Sequence, residues 1–243
     1  MTPIDPDLCA ERALVEAGAV TVGGMDEVGR GAWAGPVSVG VVVVDASLPA
    51  FPEGVRDSKV LSRRRREGLV PLILEWALDA SVGHATAREC DELGMRRAVA
   101  LAGRRALAGL GVQPDALIVD GPLDLLGLTE IPETGLFASL TRRGPKVEAI
   151  VKADRTCATV AAASILAKVS RDDLLGALAP SYPGFDFDSN VGYPSPSHQC
   201  ALRGYGLTAI HRRSWSYVDE LPWATDRLGA RSGAVLRIAS SPG

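Results

Sequence analysis

"GGMDEVGRGAWAG", residues 23–35, sets two acids, Asp26 and Glu27, directly before a turn built on Gly29, Arg30 and Gly31. A glycine-rich turn after a strand is where backbone N–H groups ordinarily cradle an anion, and two carboxylates there would repel it. The dinucleotide fingerprint fails on spacing: Gly29, Gly31 and Gly35 give G-x-G-x-x-x-G rather than G-x-G-x-x-G. It fails on context too, since Pro36 and a valine run stand where the phosphate-binding helix should begin. The valine-rich segments 20–26 and 37–44, joined by this turn, predict two neighbouring strands, antiparallel and largely buried. The stretch thus reads as an acidic strand end leading into a second strand.

Working outward, Ser62 caps a helix over 61–78, with Leu69, Leu72, Ile73 and Trp76 at helical spacing and Pro71 placed to bend or divide it. "DASVGHATA" (79–87) alternates as a third strand, and 89–110 repeats its apolar residues as one helix. "DALIVDG" (115–121) and "PKVEAIVKAD" (145–154) read as short strands, each ending on an aspartate. An alanine-rich helix spans 156–178, and a short one lies near 196–204. Three strands followed by alternating helix and strand predict an α/β domain with a mixed sheet over 20–217 and a small C-terminal helical region from about 180. Residues 1–19 form an N-terminal segment, and 218–243, rich in Gly, Ser and Pro near its end, a loose tail.

Composition removes several function classes. The net charge of −3 carries no overall basic excess of the kind that marks polyanion or membrane binding, although a local basic groove stays open. Cys9, Cys90, Cys157 and Cys200 form no C-x-x-C pair and read as reduced thiols of a cytoplasmic protein. No apolar run reaches the roughly 20 residues of a spanning helix, and the acidic N-terminus does not read as a signal peptide.

Three predicted strands end at acids: Asp26 with Glu27, Asp120 and Asp154. In open α/β sheets functional groups gather at the carboxyl ends of strands, so these four converge on one expected site. Clustered carboxylates repel one another unless cations fill the cluster, and shared carboxylates with open water positions suit Mg²⁺ or Mn²⁺. The implied chemistry is two-metal phosphoryl transfer. Adjacent strand residues point to opposite faces, so Asp26 and Glu27 serve together only if regular pleating stops there, and Gly29 and Gly31 supply the break. Each acid taken singly reads equally well as a solvated turn residue; the convergence favours a site.

"GMDEVGRGAWAGPV", "DSKVLSRRRR" (57–66), "GMRRAV" (94–99), "IVDG", "KAD" with "VAAASILAKVSRD" (160–172), and "GYPSPSHQCALRGYGLTAIHRRSW" (192–215) occur in this order and resemble the signature blocks of ribonuclease HII, the type 2 ribonuclease H. The resemblance covers roughly residues 20–217. It implies a ribonuclease H-like fold, with Asp26, Glu27, Asp120 and Asp154 as catalytic metal ligands for two Mg²⁺ or Mn²⁺ ions. It further implies hydrolysis of RNA in RNA/DNA hybrids and cutting 5′ of single ribonucleotides in duplex DNA, leaving 3′-hydroxyl and 5′-phosphate ends. By the same resemblance Gly29, Arg30, Gly31 and Tyr193 contact the ribose, and Ser58 and Lys59 lie along the nucleic-acid backbone. Lys168, Arg171 and His198 are accessory positions. The expected protein is a cytoplasmic monomer whose partner is the hybrid or the ribonucleotide-containing duplex, with no membrane partner.

Other features keep two readings. Arg63, Arg64, Arg65 and Arg66 fall in a helix's first turn, where cations are disfavoured, so phosphate or simple solvation must compensate. Lys168 and Arg171 share a helix face, unless Arg171 pairs with a core acid. His84 reads as structural. The sequence departs from the family where "NVGY" places Asn190 and Val191 instead of His-Lys, removing a cation, and at bulky Trp33, positioned to crowd or stack on substrate. The competing functions are a nucleotide-dependent oxidoreductase and a catalytically silent hybrid-binding relative.

Overall fold

The computed structural model describes residues 5–121 and 145–222. Five strands form one mixed sheet in the order β3-β2-β1-β4-β5: β1 Thr21–Val28, β2 Val37–Asp45, β3 Asp79–Ala85, β4 Ala116–Asp120 and β5 Lys146–Ile150. β1 and β2 are antiparallel, as are β2 and β3, whereas β4 runs parallel to both β1 and β5. The helices are α1 Cys9–Glu16, α2 Arg63–Trp76, α3 Ala87–Leu93, α4 Met95–Ala108, α5 Ala158–Leu178, α6 Phe187–Asn190 and α7 Pro196–Tyr205. The expected mixed sheet flanked by helices is therefore present. The tail beyond Pro222 and the segment 122–144 lie outside the described residues.

Both faces of β2 are buried, which accounts for its unbroken valine run. Val37, Val39, Val41 and Val43 pack with α4, while Val42 joins Leu69 and Ile73 of α2 and the alanines of α5. Two glycines set the depth of α5 against the sheet. A Cβ on Gly24 would come within 2.4 Å of Thr159 backbone, and one on Gly40 within 2.3 Å of the Ala163 carbonyl. The small residues of α5 and these two strand glycines are one packing solution, in which the helix backbone approaches the strands directly.

Ser62 does cap α2, accepting from Arg65 N–H, and Pro71 lies inside the helix without dividing it. The single helix expected over 89–110 is instead two, broken at Gly94 with φ +77°, ψ 157°. Apolar periodicity continues across that break and conceals it. The strand expected to end at Asp154 stops at Ile150, and Asp154 sits in a 3₁₀ turn, Ala153–Arg155. Helix α1 docks on the core: Leu14 is buried with Val22 and Val160, and the buried Glu11 carboxylate accepts both the N–H and the hydroxyl of Thr159. Among the described residues no helix is long and apolar enough to cross a membrane.

Candidate active site

The parallel ladder of β1 with β4 ends at the pair Met25↔Val119. Asp26 and Asp120 stand one position beyond it on adjacent strands. Alternation places both on the α5 face, since Val22 and Gly24 on β1 and Ala116 and Ile118 on β4 pack toward that side. Asp120 also accepts the Ala153 N–H at 2.8 Å, which ties the turn carrying Asp154 to the end of β4. Three acids distant in sequence are thus drawn to one corner of the sheet.

Glu27 arrives differently from the expectation. Pairing of β1 with β2 continues regularly through Val28↔Ser38, so the pleat does not end at the acids. Glu27 leaves the opposite face of β1 and holds Arg30 at 3.0 Å. Its charge still reaches the others. Burial first, and then the Glu27 carboxylate, push the Asp26 carboxyl up to about 7, against partial relief from the Ser164 hydroxyl. Burial also raises Asp120, opposed by the Ala153 N–H and reinforced by the charges of Asp154 and Glu27. These are carboxylates short of positive charge.

Lys59 supplies one cation, its Nζ lying 3.2 Å from Asp154 Oδ2. Partial burial works against the ammonium, but the Asp154 carboxylate beside it holds its affinity for the proton above the ordinary lysine value. The 3₁₀ turn Ser58–Val60 that presents it is braced on every side. Asp57 Oδ1 accepts the Lys59 N–H at 2.9 Å, and Arg155 Nε lies 3.4 Å from Asp57 Oδ2. Arg66 donates to the carbonyls of Ser58 and Leu61. Ser58 differs from the expected backbone contact: it is 3% exposed, and its hydroxyl meets Ser164 at 2.8 Å in the interior. The reason is the turn, which sends alternate side chains inward to α5 and outward to the acids.

Among the described residues no three acid, histidine or cysteine side chains form a ready-made metal cage. The donor set nevertheless fits hard divalent cations: all-oxygen, mutually repelling, and balanced by one lysine.

The glycine turn owes its shape to two buried arginines. Among the described residues Arg171 pairs with no core acid; Nε, Nη1 and Nη2 donate to the carbonyls of Pro36, Val191 and Ala34. Arg212, which the sequence reading did not single out, donates to the carbonyls of Gly35 and Arg30. A Cβ on Gly29, where φ is +86°, would lie 2.2 Å from Arg171 Nε. Gly31 is unlike it: exposed, with only Tyr193 Cε1 at 3.8 Å near its missing Cβ. This turn leads into β2 and not into a helix, which removes the structural basis of a dinucleotide site.

Tyr193 stands over the same turn, with Lys168 Nζ 5.8 Å and Arg171 Cζ 5.5 Å from its ring centre. A histidine pair holds it from below. Thr208 N–H donates to His211 Nδ1 at 2.9 Å, so His211 carries its proton on Nε2. That proton faces His198 Nε2 at 2.9 Å, which leaves His198 Nδ1–H to donate to the Tyr193 carbonyl at 2.8 Å. Burial and then the neighbouring His198 lower His211 to about 3, keeping it neutral. Neither histidine is close to the other in sequence, and only their spacing in the fold makes the relay.

Trp33 does not crowd the site. Its ring stacks on Tyr217 at 4.1 Å and 6°, and its carbonyl accepts from Arg212 N–H and Tyr217 Oη. The departure at Asn190 and Val191 leaves backbone work intact, since the Val191 carbonyl accepts from Arg171 and Asn190 Oδ1 caps Gly192 N–H. The four arginines of α2 are answered largely within the protein: Arg63 by Glu67 and Asp173, Arg65 by the Glu53 carbonyl, Arg66 by Asp172. Lys168 likewise pairs with Asp172 at 2.7 Å, and His84 is bonded to Ser38 at 2.7 Å.

The ribonuclease HII family model matches residues 23–218. A ribonuclease HII of Streptomyces griseus is 47% identical over 221 residues, covering 89% of this chain and 86% of that protein. Among solved structures, ribonuclease H2 of Pyrococcus horikoshii OT3 is 32% identical, with a TM-score of 0.63 over 82% of this chain and 96% of that one. Bst ribonuclease HIII in complex with Mn²⁺, at 23% identity and a TM-score of 0.59 over 90% of this chain and 73% of that one, shares the fold. The chain belongs to the ribonuclease HII family and is thereby a ribonuclease H, a hydrolytic nuclease.

Proposed function

We propose that this ribonuclease H hydrolyses phosphodiesters with two divalent ions, Mg²⁺ or Mn²⁺, held by Asp26, Glu27, Asp120 and Asp154. It cuts the RNA of RNA/DNA hybrids and 5′ of single ribonucleotides in duplex DNA, leaving 3′-hydroxyl and 5′-phosphate ends. The observation that carries this reading is the meeting of Asp26, Asp120 and Asp154 at one sheet corner, with Asp26 and Asp120 raised by burial and mutual repulsion. When bound, such ions polarise the scissile phosphate, generate hydroxide from water and stabilise the leaving 3′ oxygen. The Mn²⁺ complex of the structurally similar ribonuclease HIII supports the choice of metal class.

The chain's own residues supply position. Lys59, extended and mostly exposed beside Asp154, meets a phosphate of the bound strand. Gly31 is exposed and lies beside Tyr193, so a ribose can approach the backbone of Gly29, Arg30 and Gly31 from solvent closely enough for its 2′-hydroxyl to be recognised. Tyr193 stacks on that sugar or its base. All these groups come from one chain, which supports action as a monomer; cytoplasmic location is part of the same proposal. The test is cleavage of a uniform RNA/DNA hybrid, and of a DNA duplex carrying one ribonucleotide, in Mg²⁺, Mn²⁺ and chelator. Cutting of both in either metal and of neither in chelator is expected. Binding of hybrid without cutting under all conditions would instead support the silent-relative reading.

A further inference from the structure

Helix α5 starts just beyond the turn that carries Asp154, and its N-cap, Cys157, offers no capping side chain among the described residues. The first N–H groups of such a helix must be satisfied from elsewhere. Here they are satisfied by a segment that precedes the stretch matched by the family model, residues 23–218. The Asp7 carbonyl accepts the Ala158 N–H at 2.9 Å, and Glu11 Oε1 accepts the Thr159 N–H at 2.9 Å and its hydroxyl at 2.7 Å. Glu11 thus does the work of an N-cap side chain from 148 positions away. Asp7 also donates its own N–H to the Thr156 carbonyl at 3.0 Å, while its carboxylate accepts the Cys9 N–H and so starts α1.

The contact continues through the backbone to the site. Thr156 and Cys157 donate their N–H groups to the Ala153 carbonyl at 3.1 and 2.8 Å, and the Ala153 N–H donates to Asp120 Oδ1 at 2.8 Å. Asp154 therefore sits in a turn tied to the end of β4 on one side and to residues 7–11 on the other. Gly24 of β1 presses on the Thr159 backbone, so the first turn of α5 is gripped between strand and segment. Glu11 does this at a cost to folding: it is fully buried, and its Oε2 finds no hydrogen-bond partner among the described residues. Stability alone does not favour a buried carboxylate oxygen left in that condition.

We propose that residues 7–14 form a clamp that fixes the backbone turn presenting Asp154 to a divalent ion, with Glu11 as its positioning residue. This rests on Asp154 being a metal ligand. A ligand whose backbone must be ordered when the ion arrives binds it more weakly, and groups that orient ligands commonly matter by roughly 10- to 100-fold in affinity or rate. Leu14, buried with Val22 and Val160, seats the clamp on the core, and Glu11 transmits its position to α5.

The test measures Mn²⁺ affinity of the substrate-free full chain by calorimetry, with unfolding midpoints, for wild type, Glu11→Ala, Glu11→Gln, Thr159→Val, Val99→Ala and Asp154→Asn. Val99→Ala hollows the core on the other face of the sheet and serves as the destabilised control. Expected are Mn²⁺ binding roughly 10-fold or more weaker in Glu11→Ala, a smaller loss in Thr159→Val, and recovery of most of the affinity in Glu11→Gln, whose amide oxygen accepts the same two bonds. Val99→Ala is expected to lower the midpoint and leave Mn²⁺ affinity as in wild type. Unchanged affinity in folded Glu11→Ala, alongside lost affinity in Asp154→Asn, overturns the clamp and leaves the metal reading standing. Should Glu11→Ala fail to fold, unchanged affinity in Thr159→Val overturns it equally. So does weakening in Val99→Ala as large as in Glu11→Ala, or Glu11→Gln binding no better than Glu11→Ala. Unchanged affinity in Asp154→Asn overturns the metal reading and the clamp with it.

Discussion

Gly29 and Arg171 are packed so closely that a single added carbon on the glycine would sit 2.2 Å from the guanidinium Nε. Arg171 has no room to yield, being fully buried and committed to three backbone carbonyls. Gly29→Ala is therefore expected to lower unfolding stability by about 2–3 kcal/mol, through this contact and through its positive φ. Gly31→Ala meets only Tyr193 at 3.8 Å. It is expected to change stability by less than about 0.5 kcal/mol yet to slow cleavage at a single ribonucleotide. Urea unfolding and single-turnover cleavage of both variants check the contrast; equal stability losses would refute it.

Lys59 presents an ammonium that is 69% exposed to a buried Asp154. Screening by water limits what that pair contributes to folding. Lys59→Met should keep the unfolding free energy within about 1 kcal/mol of wild type while raising KM for duplex, and its binding should depend less steeply on salt by about one phosphate contact. A salt titration of binding, compared between the two proteins, measures this.

Asp26 makes folding pH-dependent in a definite direction. Its carboxyl titrates at about 7 in the folded chain and near 3.9 when unfolded. Between those values the folded chain holds a proton that the unfolded chain has released. The contribution is complete below about pH 4 and is lost as pH rises through 7, a cost on the order of 4 kcal/mol at most. In chelator, Asp26→Asn should be more stable than wild type at pH 8, and Mn²⁺ should raise the wild-type midpoint more at pH 8 than at pH 6. Thermal unfolding at the two pH values, with and without metal, checks both.

His211 works in the opposite sense. Held at about 3 in the fold against roughly 6.5 when unfolded, it refuses a proton that the unfolded chain accepts. Its stabilisation is present above pH 6.5 or so and is lost progressively as pH falls toward 3. Because Asp26 contributes in the opposite sense over the same range, the check is a difference: from pH 7 to pH 5 the unfolding free energy of wild type should fall relative to that of His211→Gln. Denaturant titrations at the two pH values decide it.

What the sequence discloses is local. The β1–β2 hairpin shows in its valines, the Ser62 cap in its helix, and Asp120 in its place at the end of β4, whereas Asp154 sits in a 3₁₀ turn beyond β5. What it hides is made by distance. Ser58 and Ser164 are 106 positions apart, Arg171 and Pro36 135, and Arg212 and Gly35 177. No periodicity or short motif couples such residues. Trp33 looked like a substrate contact because its partner Tyr217 lies at the other end of the domain. Gly94 could be read either way, a tolerated helical glycine or a break, and only its positive φ decides. The family resemblance named Tyr193 and the acids; it did not name what holds them still.

The most direct measurement is cleavage of a DNA duplex bearing one ribonucleotide, in Mg²⁺ or Mn²⁺, by wild type and Asp154→Asn, with the product ends mapped. Expected are a single cut 5′ of the ribonucleotide by wild type, with 3′-hydroxyl and 5′-phosphate ends, and a rate lower by roughly 100-fold or more in the variant. No cleavage by wild type in either metal, or undiminished cleavage by Asp154→Asn, would contradict the proposed function.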